Sequence, residues 1–210
     1  MTSGRDSATG TTRIEGILLA AGESRRMGYP KPLLELNGKP FISAIASTML
    51  TAVPRLIVVL GTEAERIARA LPDDPRIMVV LNPNYSRGQL SSLKAGLASV
   101  ENDAIGVMVH LCDHPTVRAD TFRAVIDRFT KSGQPIAIAR HAGRRGHPAI
   151  FARSVFAELM AAPDGEGARR VVNAAPGRVV YADVNDSGVN LDLDTPADLE
   201  RAGISLPQPR

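Results

Sequence analysis

The sequence predicts one α/β domain built on a Rossmann-like, doubly wound and mostly parallel sheet with helices on both faces, and two observations carry that expectation. Short apolar runs of strand length recur at Ile14 to Ala20, Leu56 to Leu60, Ile77 to Leu81, Ile105 to Leu111 and Ile136 to Ala139. They are nearly continuous rather than alternating, as strands covered on both faces are. Between them lie stretches with helical spacing, of which Phe41, Ile45, Thr48 and Met49 are an example. Strands alternating with helices build parallel crossover units, and an open sheet of such units binds its ligand beyond the carboxyl ends of the strands.

A chain of 210 residues can bury one substantial core and is short for two. The expected domain is 13–204, with tails at 1–12 and 205–210, because the Ser, Thr and Gly of the N-terminal stretch offer nothing to bury. The net charge of +3 is spread among acidic residues, and aromatics make up only 4%, which argues against a nucleic-acid platform and leaves a local pocket for an anionic ligand as the sharper reading. No apolar run approaches membrane-spanning length and the start lacks a signal-peptide pattern, so the expectation is a cytoplasmic protein with no membrane partner. Cys112 is the single cysteine and sits in an apolar run, where an inert buried thiol is expected.

Beyond about residue 140 the pattern loosens. The segments AGRRGHPAIF and APDGEGARRVV are punctuated by Gly and Pro, and they read as a capping subregion that forms the second wall of the ligand cleft. Two further strand candidates follow, Arg178 to Val184 and Val189 to Leu193.

The loop after the first strand, LAAGESRRMGYPKPLL, reads as a triphosphate cradle. Gly22 and Gly28 permit close backbone approach, while Arg25, Arg26 and Lys31 can meet phosphate oxygens. It is not a Walker loop, which requires Gly-Lys followed by Ser or Thr. Nor is it the dinucleotide fingerprint GxGxxG, because Ser24 stands where the second glycine belongs.

Two acidic clusters follow. Asp113 ends the apolar run through Leu111, and Pro115 stops the strand, which delivers a carboxylate to the sheet edge as either a helix cap or a metal ligand. In VNLDLDTP an extended backbone would put Asn190, Asp192 and Asp194 on one face, a row of hard oxygen donors of the kind magnesium takes from separate strands; Asp194 could instead cap the helix that Thr195 and Pro196 begin.

The strings LAAGESRRMGYPK, NPNYSRGQLSSLKAGL, LCDHP, GRRGHPAIF, GEGAR and LDLDTPADL occur in that order from Leu18 to Leu199. Together they resemble the signature of the MobA-like nucleotidyltransferases, in particular the molybdenum cofactor cytidylyltransferase branch. The resemblance implies a nucleotide-diphospho-sugar-transferase-like fold that moves a nucleoside monophosphate onto a small acceptor. Carried onto this chain, it implies that Arg26 and Lys31 bind the triphosphate and that Ala20, Ala21, Gly22 and Ser24 line the nucleotide pocket. Gly88, Gln89, Ser91 and Ser92 would lie beside the base and ribose, although a plain capping box would equally suit that helix start. His147, in the loop with Arg144 and Arg145, would lie near the acceptor. Magnesium would be held by Asp113 with Asp192 or Asp194, Asp192 being the preferred second ligand. Cys112 and His114 depart from the commonest LGDxP pattern and receive no role. The LAAG form favours CTP over GTP, and molybdopterin leads sugar phosphates as acceptor, with a molybdoenzyme as the implied client. A dinucleotide-dependent oxidoreductase and a non-catalytic cofactor-delivery protein are the rival classes.

Overall fold

The computed structural model describes residues 13–204; the expected tails at 1–12 and 205–210 lie outside the described residues. β1 (Ile14–Ala20) is buried along its whole length. Its side chains divide between two cores, Ile14, Leu18 and Ala20 on one side and Ile17 and Leu19 on the other, the period-two split of a strand covered on both faces. A short hairpin of β2 (Glu35–Leu36) and β3 (Lys39–Pro40) leads into α1 (Phe41–Met49). Phe41, Ile42, Ile45, Ala46 and Met49 form its buried stripe. Thr48 is only partly buried and donates its hydroxyl to the Ala44 carbonyl.

β4 (Leu56–Leu60), α2 (Ala64–Ala68) and β5 (Ile77–Leu81) carry the sheet to one edge, and α3 (Gln89–Leu97) returns the chain to β6 (Gly106–Leu111) on the other side of β1. The chain continues through α4 (Ala119–Ser132), β7 (Ile136–His141), β8 (Arg144–Ala152), α5 (Phe156–Ala161), α6 (Arg169–Asn173), β9 (Val179–Asp183) and α7 (Pro196–Arg201). The main sheet has the order β5-β4-β1-β6-β8-β7-β9. Phe41, Ile45 and Met49 of α1 and Phe122, Val125 and Phe129 of α4 cover one face. Leu90, Leu93 and Leu97 of α3, with Leu159 of α5 and Val171 of α6, cover the other. Among the described residues no helix is long and apolar enough to cross a membrane.

Two expectations are corrected. GRRGHPAIF is not a capping loop: β8 lies inside the sheet, antiparallel to both β6 and β7. Ala142 and Gly143, with φ of 48° and 77°, make the two-residue turn that a tight hairpin requires. The strand is disguised because Arg144 and Arg145 project from its exposed end and only Pro148 to Phe151 are buried. Its register with β7 passes from Arg140↔Arg145 to Ile138↔Ala149, so Gly146, His147 and Pro148 bulge opposite Ala139. A bulge accepts a proline, which has no ladder N–H to give, and turns neighbouring side chains out of the pleat.

The second correction concerns Val189 to Leu193, which is not a strand. Ser187–Asn190 forms a 3-10 turn. The buried Asp186 carboxylate organises it by accepting from the Gly188 N–H, the Arg118 N–H and the Thr121 hydroxyl. Val189 and Leu193 are buried, but Leu191 is exposed. The acidic segment is tied to the end of β6 by the Leu193 N–H, which donates to the Asp113 carbonyl at 3.0 Å.

Gly146 locks these two segments together. A Cβ there would lie 1.9 Å from the Val189 carbonyl oxygen, so Gly146→Ala must displace backbone and is expected to destabilise the fold by about 1–3 kcal/mol. Thermal melting measures this; an unchanged Tm would show that the segments part freely.

Candidate active site

β1 is flanked by β4 on one side and β6 on the other, which makes the β1–β6 boundary the point where the strand order reverses and a crevice opens. The loop after β1 forms the first wall. Ser24 adopts a left-handed backbone conformation, φ 53°, and its Oγ accepts a hydrogen bond from the Lys31 N–H at 3.0 Å. That closure brings Arg26 and Lys31 over the strand end, while Arg25, at the cavity rim, is largely exposed and pairs with Glu23. Ala20, Ala21, Gly22, Ser24, Arg26 and Lys31 all line a cavity of about 330 Å³.

The opposite wall is the start of α3. Gly88, at φ 107° and ψ 174°, precedes it in a conformation open to glycine, and no side chain caps the helix, so the capping-box reading fails. Gly88, Gln89 and Ser92 line the cavity. Ser91 does not: its hydroxyl is turned back within reach of the Gly88 and Asn84 carbonyls, at 2.8 and 3.0 Å. The buried Asn82 amide donates to both Ser91 Oγ and Ser92 Oγ at 3.0 Å, holding the helix start in place. Sequence reasoning missed Asn82, although a polar residue directly after the β5 run was a visible signal.

Asp113 and Asp194 complete the first cavity. Neither caps a helix: α4 follows Arg118, and α7 is capped by Thr195 in a reciprocal box with Asp198. The Lys31 ammonium, 13% exposed, pairs with Asp194 and lies 3.6 Å from Asp113; Arg26 also pairs with Asp194. Burial pushes the Asp194 pKa up, but the Lys31 hydrogen bond and the two cations outweigh it and hold the carboxyl below its ordinary value. Asp194 is thus occupied by cations, whereas ligand atoms of Asp113, His114 and Asp192 lie within 4.8 Å of one another. Asp113 Oδ1 is buried without a hydrogen-bond partner, an arrangement that a bound cation satisfies. This group fits a divalent ion. His114 entered it without any sequence expectation, its only signal being its place beside Asp113.

Asp192 titrates unusually high. Burial, then the charges of Asp113 and Asp194, raise its pKa to about 6. The sign follows: below the unfolded value Asp192 is protonated in both states, and as pH rises through about 6 its ionisation against two carboxylates destabilises the fold. A divalent cation offsets that repulsion. Added Mn²⁺ or Mg²⁺ should therefore raise Tm near neutral pH, with the increment shrinking below about pH 6. A pH series of melting curves tests this, and an equally large increment near pH 4 would count against Asp192.

A second cavity of about 740 Å³ shares Gly88, Gln89 and Asp113 with the first and adds Asp192 and His147. Val109, Ile138 and Phe151 floor it, and Arg87, Arg144, Arg145 and Arg169 rim it. The bulge in β8 places His147 here. Burial, then the neighbouring His114, pushes its pKa down to about 4, so a neutral ring would meet a ligand by hydrogen bonding and not by charge. Cys112 lines the first cavity, but burial and Asp113 push its thiol up, so it stays protonated.

The MobA-like NTP transferase domain matches residues 16–179. The chain is 25% identical to the molybdenum cofactor cytidylyltransferase of Escherichia coli, covering 88% of this chain and 93% of that one. It is 32% identical to the molybdenum cofactor guanylyltransferase of Cereibacter sphaeroides, over 90% and 95%. It is also 31% identical to the nicotine blue oxidoreductase of Paenarthrobacter nicotinovorans, over 87% and 92%. A solved structure of Rv0371c from Mycobacterium tuberculosis, in complex with manganese, superposes with a TM-score of 0.74 at 31% identity, covering 90% of this chain and 97% of that one.

Proposed function

Because the chain belongs to the MobA-like NTP transferase family and is a nucleotidyltransferase, we propose that it transfers CMP from CTP to a phosphorylated acceptor of the molybdopterin class and releases pyrophosphate. The observation that carries this reading is the position of Asp113 at the junction of two adjoining cavities, one rimmed by phosphate-binding groups and the other suited to an acceptor.

In this reading the smaller cavity takes the nucleotide. Asp194 holds Lys31 and Arg26 over the end of β1, and the triphosphate oxygens compete for the same donors. The acceptor lies in the larger cavity, its ring on the apolar floor and its phosphate toward the arginine rim. An acceptor phosphate oxygen attacks the α-phosphorus in line, the new P–O bond forming as the bond to the β-phosphate oxygen breaks. Such an oxygen is already ionised at neutral pH, so positioning and charge stabilisation suffice without a strong base. Asp113 and Asp192 would hold the divalent cation, magnesium being the hard ion best matched to carboxylate and phosphate oxygens. When bound, it neutralises charge on the phosphates. The loaded product would then pass to a molybdoenzyme.

CTP is favoured by the LAAG loop, where the buried Ala20 and Ala21 line the cavity and narrow it for the smaller base. The relative named as an oxidoreductase favours hydride chemistry instead, but Ser24 interrupts the glycine pattern that a dinucleotide needs. Pyrophosphate release should be measured for each common nucleoside triphosphate, with molybdopterin and with sugar phosphates. CTP with molybdopterin should turn over fastest, and Ala21→Gly should reduce discrimination against GTP by roughly 1–3 kcal/mol. Faster turnover of GTP with every acceptor would sink the cytidylyl assignment; no pyrophosphate from any triphosphate would sink the whole reading.

A further inference from the structure

We propose that His114 supplies a nitrogen ligand to the cation site and that the site therefore holds a first-row transition-metal ion such as Mn²⁺ more tightly than Mg²⁺. The inference rests on the functional reading above only for the presence of a cation in the cleft.

The geometry fixes the ring. His114 is buried, and its Nδ1 lies 3.3 Å from the Gly188 carbonyl. A neutral imidazole donating from Nδ1 keeps its lone pair on Nε2, the arrangement by which a backbone carbonyl orients a metal-binding histidine. Gly188 packs so closely on the Thr116 backbone that no side chain would fit there, and its N–H is held by Asp186. The His114 carbonyl is itself in contact with His110 Nε2 at 3.1 Å.

Nε2 is 3.8 Å from Asp113 Oδ1, too far for the two atoms to satisfy each other by a hydrogen bond. Asp113 Oδ1 has no hydrogen-bond partner, and one ligand atom each of Asp113, His114 and Asp192 lie within 4.8 Å of one another. Donors about 2.1 Å from a common ion stand about 3 Å apart at a right angle and about 4.2 Å apart when opposite. The 3.8 Å spacing falls between those limits, so a single ion would be within reach of both atoms after a small adjustment of either side chain.

Donor type then sets preference. Magnesium takes oxygen ligands and keeps its waters, whereas an imidazole nitrogen adds affinity for the divalent ions of the first transition row, least for Mn²⁺ and more for Fe²⁺, Co²⁺ and Zn²⁺. One nitrogen among two carboxylates leaves room for Mg²⁺ but adds affinity chiefly for transition-metal ions, Mn²⁺ included.

The test is spectroscopic and uses the full chain. Electron spin-echo modulation of bound Mn²⁺ should show coupling to a histidine nitrogen in the wild type, shifted by isotope-labelled histidine, and should show it still in His147→Gln. The coupling should vanish in His114→Gln and His114→Ala, with Mn²⁺ affinity falling about tenfold and Mg²⁺ affinity changing little. An all-oxygen signal in the labelled wild type, which needs no variant, would overturn the proposal, as would coupling that persists in both His114 variants. Nitrogen coupling in a chain that releases no pyrophosphate would support the ligand while removing the functional reading; an active enzyme with an all-oxygen ion would do the reverse.

Discussion

Asp113→Asn is expected to fold like the wild type and to lose nearly all turnover. The residue contributes to packing mainly through its backbone, whose carbonyl accepts from Leu193, and the amide preserves size and that bond. What disappears is a negative charge at the junction of the two cavities, beside Asp192 and 3.6 Å from the Lys31 ammonium. Charge stabilisation by a bound cation supplies several kcal/mol, so turnover should fall by about 10²–10³-fold or more. Stability should not fall with it. Removing one of the charges that raise the Asp192 pKa relieves repulsion in the folded state, and the metal-free variant should melt no lower than the wild type at neutral pH. Pyrophosphate-release kinetics and melting curves measured together check both halves. Near-normal turnover, or loss of the fold, would remove Asp113 from the cation site.

Lys31→Ala should reduce kcat at saturating nucleotide by about 10²–10³-fold, the range for removing one preorganised donor aimed at developing charge. Lys31 is delivered by a loop that Ser24 closes, is largely shielded from water, and faces Asp194 and Asp113. An ammonium held there is aimed at the leaving pyrophosphate, where charge grows as the bond breaks, so its loss should appear in kcat as well as in KM. Arg26 is largely exposed and shares Asp194, so its replacement should have the smaller effect. A Lys31→Ala change confined to KM would show that the ammonium binds ground state and transition state alike.

Much of this was legible in the chain. Continuous apolar runs determined the strands β1, β4, β6 and β7, because burial on both faces leaves no polar alternation; β5 shows the same apolar run although it is an edge strand with Met78, Val79 and Leu81 exposed. The glycines and cations after β1 marked the loop that lines the first cavity, and Asp113 was marked by a strand that stops at a proline. Tertiary structure alone decided the rest. β8 is hidden in sequence because its strand is completed by neighbours on either side and tolerates Arg, Gly and Pro where it protrudes or bulges. The Val189 to Leu193 segment alternates in hydrophobicity, yet Asp186 and Gly188 fold it into a turn through bonds to residues far away in the chain. Asp194 and Asp192 are two residues apart, and only the fold gives one to Lys31 and Arg26 and the other to Asp113 and His114. The pairing of charges depends on distance through space, and the local pattern of a sequence carries no record of it.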